Sequence, residues 1–207
     1  MKLLFCLFAL ALPASAAISI SLPGSTETAT WALTSSTYAG FNSFGTAANA
    51  WAGPAAGSGS ASAMFNKVSG SGYIGSSFMY TAGTNGGFRV YDDTPIASLE
   101  TLVFQGKISD VFTTIPILNF NGGSQALAAD FSAVVTGGGY PDRAWQWDLS
   151  GIAGPITSYE ILFDGHFAAT SLQLDAGNSF VQVIPEPSVG VLGIAALGLT
   201  FIRRRRA

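Results

Sequence analysis

The chain has 207 residues, 48% of them hydrophobic and 10% charged, with 25 glycines, one cysteine, one histidine and a formal net charge of −3. That net hides a division: the two ends are cationic, while residues 17–184 carry four basic residues (Lys67, Arg89, Lys107 and Arg143) against eleven carboxylates. Such a body is excluded as a nucleic-acid binder, because phosphate contacts depend on clustered Lys and Arg, and a single cysteine excludes an internal disulfide.

The first sixteen residues read as a secretory signal peptide. Lys2 supplies the positive start, residues 3–12 form an apolar run, and Pro13 breaks it. Ala14 and Ala16 then present the small side chains that a signal peptidase accepts, which places the cut before Ala17. The apolar run is half the ~20 residues that a spanning helix needs. The alternative is an ordinary N-terminal strand or core helix, which would not require this order of charge, breaker and small residues. Cys6 sits too early for a lipoprotein signal and leaves with the peptide. The remaining body has no thiol and must be stabilised by core burial, ions or assembly.

Residues 17–184 are expected to form one domain with a sizeable core. No segment keeps a 3.6-residue apolar period, whereas period-2 alternation recurs. It is clean over residues 18–22. It recurs at 144–149, where Trp145, Trp147 and Leu149 share a face, and at 159–164, where Tyr159, Ile161 and Phe163 do. Further strands are expected at 28–33, 63–68, 73–81, 87–91, 99–107, 115–120, 128–135, 170–174 and 180–184. Asn85-Gly86-Gly87, Asn121-Gly122-Gly123, Gly137-Gly138-Gly139 and Asp175-Ala176-Gly177-Asn178 read as turns that permit positive φ. Asp164-Gly165 reads as a short hairpin turn. Residues 47–62, rich in Ala, Gly and Ser around Trp51 and Pro54, read as a surface loop or insertion within the same domain. Ten to twelve short strands at this spacing imply an all-β fold. The expected architecture is an antiparallel β-sandwich, jelly-roll-like, with a β-barrel as the alternative.

Few residues suggest chemistry. His166, the lone histidine, would have to be the base of any Ser-His-Asp arrangement, and no G-x-S-x-G elbow accompanies it. It reads as a surface or half-buried side chain. Eleven carboxylates allow chance pairs for glycoside hydrolysis, but no motif singles out two. Asp92-Asp93 before Thr94-Pro95, and Pro141-Asp142, read as solvated turns, either of which could contribute oxygens to Ca²⁺; no calcium loop is present, so no metal or cofactor is assigned. Trp145 and Trp147, with Tyr140 nearby, are the candidate sugar-stacking platform. Because Leu149 follows them in phase, filling the core is the stronger reading.

The chain closes with Pro185-Glu186-Pro187, an apolar run over residues 188–202, then Arg203, Arg204, Arg205 and Arg206 before Ala207. As a helix the run reaches ~22 Å, short of a ~30 Å hydrocarbon core. Snorkelling arginines and local bilayer thinning narrow the gap, giving a single short transmembrane helix. The arginines mark their end as cytoplasmic, Lys2 puts the other end on the same side, and the body therefore lies outside. Tripeptide, short apolar helix and basic terminus, in that order, resemble the PEP-CTERM sorting domain of Gram-negative bacteria over residues 185–207. The resemblance implies processing by an exosortase, a membrane-embedded cysteine protease-transpeptidase, in a host that makes extracellular polysaccharide. The tail would hold the protein at the inner membrane and then be removed. A plain anchor that is never cut is the alternative. The expectation is an exported surface or matrix protein, structural or adhesive and without catalysis. A carbohydrate-binding module for extracellular polysaccharide and a secreted hydrolase are the competing readings.

Overall fold

The computed structural model describes residues 20–38, 51, 53–81, 83–109, 112, 114–136 and 139–184. The signal-peptidase site at Ala14, Ala16 and Ala17 lies outside the described residues. So does the sorting tail, with Pro185, Glu186, Pro187 and the four arginines.

The described chain is all β. Its strands are β1 (Thr26–Ala32), β2 (Ala55–Ala56), β3 (Ser58–Gly59), β4 (Met64–Gly70), β5 (Tyr73–Ile74), β6 (Met79–Tyr80) and β7 (Gly86–Asp92). Then come β8 (Thr101–Ile108), β9 (Thr114–Phe120), β10 (Leu127–Ala128), β11 (Phe131–Val135), β12 (Asp142–Asp148), β13 (Tyr159–Gly165) and β14 (Ala168–Gly177). They form two antiparallel sheets packed as a sandwich. The first runs β11-β12-β8-β14-β1-β3, with β6 added beside β14 and β5 beside β6; the second runs β10-β9-β13-β7-β4-β2. The two sheets are separate, so the barrel alternative is not the one adopted.

Alternation decides which side chains enter the core. In β13, Tyr159, Ile161 and Phe163 are buried between half-buried Glu160, Leu162 and Asp164. In β14, Leu172, Leu174 and Ala176 face inward. The centre is aromatic. Phe163 lies 6.3 Å from Phe65, 5.8 Å from Phe88, 5.2 Å from Phe104 and 4.9 Å from Phe112, ring centre to ring centre. Burying each such ring contributes about 2–3 kcal/mol, and each well-placed ring pair about 0.5–1.5 kcal/mol more. Trp51, in the segment expected to be a loop, packs 5.2 Å from Phe65 and donates its indole N–H to Gly72 O. That segment also contributes β2 and β3.

A smaller cluster sits on the opposite, outer face of the first sheet. Val103 and Ala144 are covered there by Ile184, with Ile20, Leu22, Phe131, Ala133 and Val183 around them. Residues 20–22 and 180–184, both expected to be strands, are extended coil laid over the sheet.

Other expectations change in detail. Asp164-Gly165 is not a hairpin turn: β13 belongs to the second sheet and β14 to the first, so the chain crosses between layers there. Asp175, Ala176 and Gly177 belong to β14, where β1 and β8 pair with them on both sides. The expected strand 73–81 is divided by a tight turn closed by Gly75 N–H to Phe78 O at 2.8 Å. The expected strand 128–135 is divided between the sheets as β10 and β11. Gly86 and Gly87 lie within β7, and Gly86 is required by close approach: a Cβ there would come within 1.9 Å of Ser71 O. Asn121 and Gly122 do adopt positive φ, at 51° and 67°, in the connection between β9 and β10.

Candidate functional site

The tryptophan platform is not a surface. Trp145 and Trp147 are 8% and 1% exposed and point into the core with Leu149. Trp145 stacks on Phe104 at 5.7 Å and Phe112 at 5.3 Å, and Trp147 donates its indole N–H to Leu127 O. Tyr140 is half-buried before β12 and makes no ring contact with either. The alternation of β12 sends alternate residues to opposite faces, and the tryptophans take the inner one.

The other candidates are dispersed. His166 is exposed between β13 and β14, with Nε2 3.2 Å from the Tyr80 hydroxyl. Asp92 is buried at the end of β7, not solvated as expected. One of its oxygens accepts from the Ser62 hydroxyl at 2.9 Å and from Thr94 N–H at 2.8 Å, which closes the turn after the strand. Asp93 is exposed beside it. Asp142 begins β12 and pairs in register with Lys107. Among the described residues no three His, Cys, Asp or Glu side chains converge on one point, and no helix is long and apolar enough to cross a membrane.

The most organised polar arrangement lies on the outer face of the first sheet. Strands β1, β14 and β8 put Thr28, Asp175 and Val103 in one cross-strand row, and Thr30, Gln173 and Gln105 in the next. Asp175 is 7% exposed. Its Oδ1 accepts from the Thr28 hydroxyl at 2.9 Å and from Gln173 Nε2 at 3.1 Å. Its Oδ2 accepts from Gln173 Nε2 at 2.9 Å and from Gln105 Nε2 at 3.3 Å. Burial raises the Asp175 pKa, and the bonds from Thr28, Gln173 and Gln105 offset part of the rise. Beside this network runs an open groove of about 280 Å³, lined by Thr30, Gln105, Lys107, Asp142, Ser171 and Gln173 among others.

A second depression, of about 210 Å³, lies on the outer face of the second sheet. Of its charged groups, Arg89 and Glu160 are already engaged, and Asp93 is exposed at its rim. Arg89 pairs with Glu160 at 3.6 Å and lies 4.3 Å above the Tyr91 ring, while Asn119 Nδ2 donates to Glu160. A half-exposed ion pair of this kind contributes ~0–1 kcal/mol and shapes the surface more than it stabilises the fold.

Sequence reasoning missed the glutamine–aspartate network. Alternation within 101–108 and 168–177 would have put Gln105, Gln173 and Asp175 on one face, but taking Asp175 for a turn residue cut β14 short. No family model, curated protein or solved structure matches the chain.

Proposed function

We propose that this chain is an exported surface or matrix protein with a structural or adhesive role and no catalysis of its own. It is carried outward by its N-terminal signal and sorted through its C-terminal tail by an exosortase at the inner membrane. The observation that carries the reading is how the body ends. The side chain of Gln146 accepts from Val183 N–H at 2.9 Å and Ile184 N–H at 3.2 Å and donates to Val181 O at 2.7 Å. The segment is thus tied to the sandwich up to the residue before Pro185. A protease acting at Pro-Glu-Pro would work beside a finished fold, and its cut would leave every one of these contacts in place. A jelly-roll-like arrangement is supported by β1 lying against β14 inside one sheet and by repeated passages of the chain between layers. The non-catalytic reading is the simpler one because the sequence names no nucleophile together with its base.

The test is fractionation with intact-mass measurement of the native protein beside a variant ending at Ile184. The expected result is native protein at the surface or in the matrix, lighter by the tail, with the truncated form periplasmic. Unchanged surface delivery of the truncated form would sink the sorting claim. An uncut Arg-rich end in the membrane fraction would establish the plain anchor instead.

A further inference from the structure

We propose that the groove on the outer face of the first sheet, centred on Gln105 and Gln173, binds a neutral, hydroxyl-rich polysaccharide chain. This moves the carbohydrate-binding expectation from the buried tryptophans to a surface built from amides.

Three observations carry it. Gln105 and Gln173 are direct cross-strand partners on β8 and β14, so their side chains leave the sheet about 5 Å apart. Both donate their Nε2 groups to the buried Asp175 carboxylate. Asp175 therefore fixes the rotation of each amide and leaves its carbonyl oxygen as the outward acceptor. Neither oxygen accepts a hydrogen bond from another described residue. Two acceptors held at fixed spacing by a buried anchor are preorganised for hydroxyl donors, so less side-chain entropy is lost when a ligand engages them. An amide carbonyl and a sugar hydroxyl are complementary, whereas the two acceptors would face any carboxylate or phosphate with repulsion.

The second observation is charge. The exposed Lys107 and the half-buried Asp142 are register partners at one edge of the groove, and the buried Asp175 lies just beyond the opposite edge, in the cross-strand row next to the glutamines. Their sum favours no anion, and the body around them carries eleven carboxylates against four basic residues. An acidic polysaccharide would approach against that field. The third is shape. The groove is open to solvent, and its rim carries the half-buried Ser171 and Thr30 hydroxyls. Thr30 already donates to Ser58 O at 3.0 Å, so its oxygen presents an acceptor outward. A shallow open trough that mixes apolar lining with hydroxyl and amide groups suits one face of a sugar chain, not an enclosed small molecule.

The proposal rests on the adhesive reading only for where the ligand is met, and sorting and binding are measured separately, so either can fail alone. The experiment uses the full chain in a non-glycosidic detergent. It is titrated calorimetrically with neutral gluco-, manno-, galacto- and xylo-oligosaccharides and with acidic oligoguluronate. At least one neutral series should bind and oligoguluronate should not. Gln105→Ala with Gln173→Ala should weaken binding by about tenfold for each hydrogen bond lost. Because that pair also loosens Asp175, Ser171→Tyr serves as a second variant: it fills the groove without touching the Asp175 contacts and should block binding while thermal unfolding stays unchanged. Gln125→Ala, far away in the β9–β10 connection, should bind as the native chain does. The proposal is overturned if no neutral series binds, if oligoguluronate binds as tightly, or if binding survives both the double substitution and Ser171→Tyr.

Discussion

Gln146 and Val183 are separated by 37 positions in the chain, yet Gln146 Oε1 accepts the Val183 N–H at 2.9 Å on the outer face of the first sheet. Gln146 is fully buried and also donates to the Thr101 hydroxyl and to Val181 O. One amide thus satisfies three backbone groups of a segment that has no strand partner of its own. Gln146→Ala removes all of these bonds and leaves the Ile184 N–H buried beneath the apolar cover. Each orphaned buried group costs about 1–3 kcal/mol. The loss is local, so opening of this segment is expected to become easier by about 2 kcal/mol, with amide exchange rising at Val183 and Ile184 and unchanged in β13. Uniformly faster exchange throughout the sandwich would show that the segment is part of the global unit.

Phe163 is the node of the aromatic core, in contact with Phe65, Phe88, Phe104, Phe112 and Phe167. It joins rings from both sheets. Phe163→Ala therefore opens a cavity that neither sheet closes alone, with an expected cost of about 3–5 kcal/mol. Urea denaturation reads it as a lowered midpoint with an unchanged slope. A cost below 1 kcal/mol would mean that the two layers do not depend on this ring.

The sequence carried the side assignments well and the long-range pairings poorly. Trp145, Trp147 and Leu149 share the inner face because alternation is a local property of extended backbone. Which sheet a strand joins is not local. Asp164-Gly165 looks like a hairpin turn, but Phe163 of β13 and Phe167, just before β14, both enter the core, 6.2 Å apart, as the chain passes from one layer to the other. Asp175-Ala176-Gly177 has turn composition, but pairing with β1 and β8 overrides it. The groups that make the burial of Asp175 tolerable are Gln105, 70 positions away, and Thr28, 147 positions away. The glutamine pair was hidden for the same reason: its partner had been taken out of the sheet.

Gly86 also distinguishes local reading from tertiary contact. It was expected to supply a turn, but it sits in β7 opposite Gly70 of β4, against the carbonyl of Ser71 and the ring of Phe88. Any Cβ forces the backbone at 71 or the Phe88 ring to move. Gly86→Ala is expected to cost about 1–3 kcal/mol through overpacking, whereas Gly122→Ala, where nothing lies within 4 Å but φ is +67°, should cost about 1 kcal/mol. Thermal unfolding of the two variants separates close approach from backbone conformation; equal losses would contradict the steric account of Gly86.

Asp175 gives the fold a pH signature opposite to that of an ordinary ion-paired carboxylate. Burial, as the larger effect, raises its folded pKa above the usual aspartate value, despite the three side chains that donate to it. The folded state therefore takes up this proton more readily than the unfolded chain does. Its contribution to stability is full below the unfolded value and is lost as pH rises through the folded one. Other carboxylates titrate in the same region, so the informative quantity is the difference between the native chain and Asp175→Asn, which cannot ionise there. The native chain should gain stability relative to the variant as pH falls from about 7 toward about 4, and the difference should level off below that. Urea midpoints taken across this interval check it. A difference that is constant with pH would show that burial does not disturb Asp175. One that shrinks on acidification would show that its hydrogen bonds outweigh its desolvation and hold it as a stabilised carboxylate.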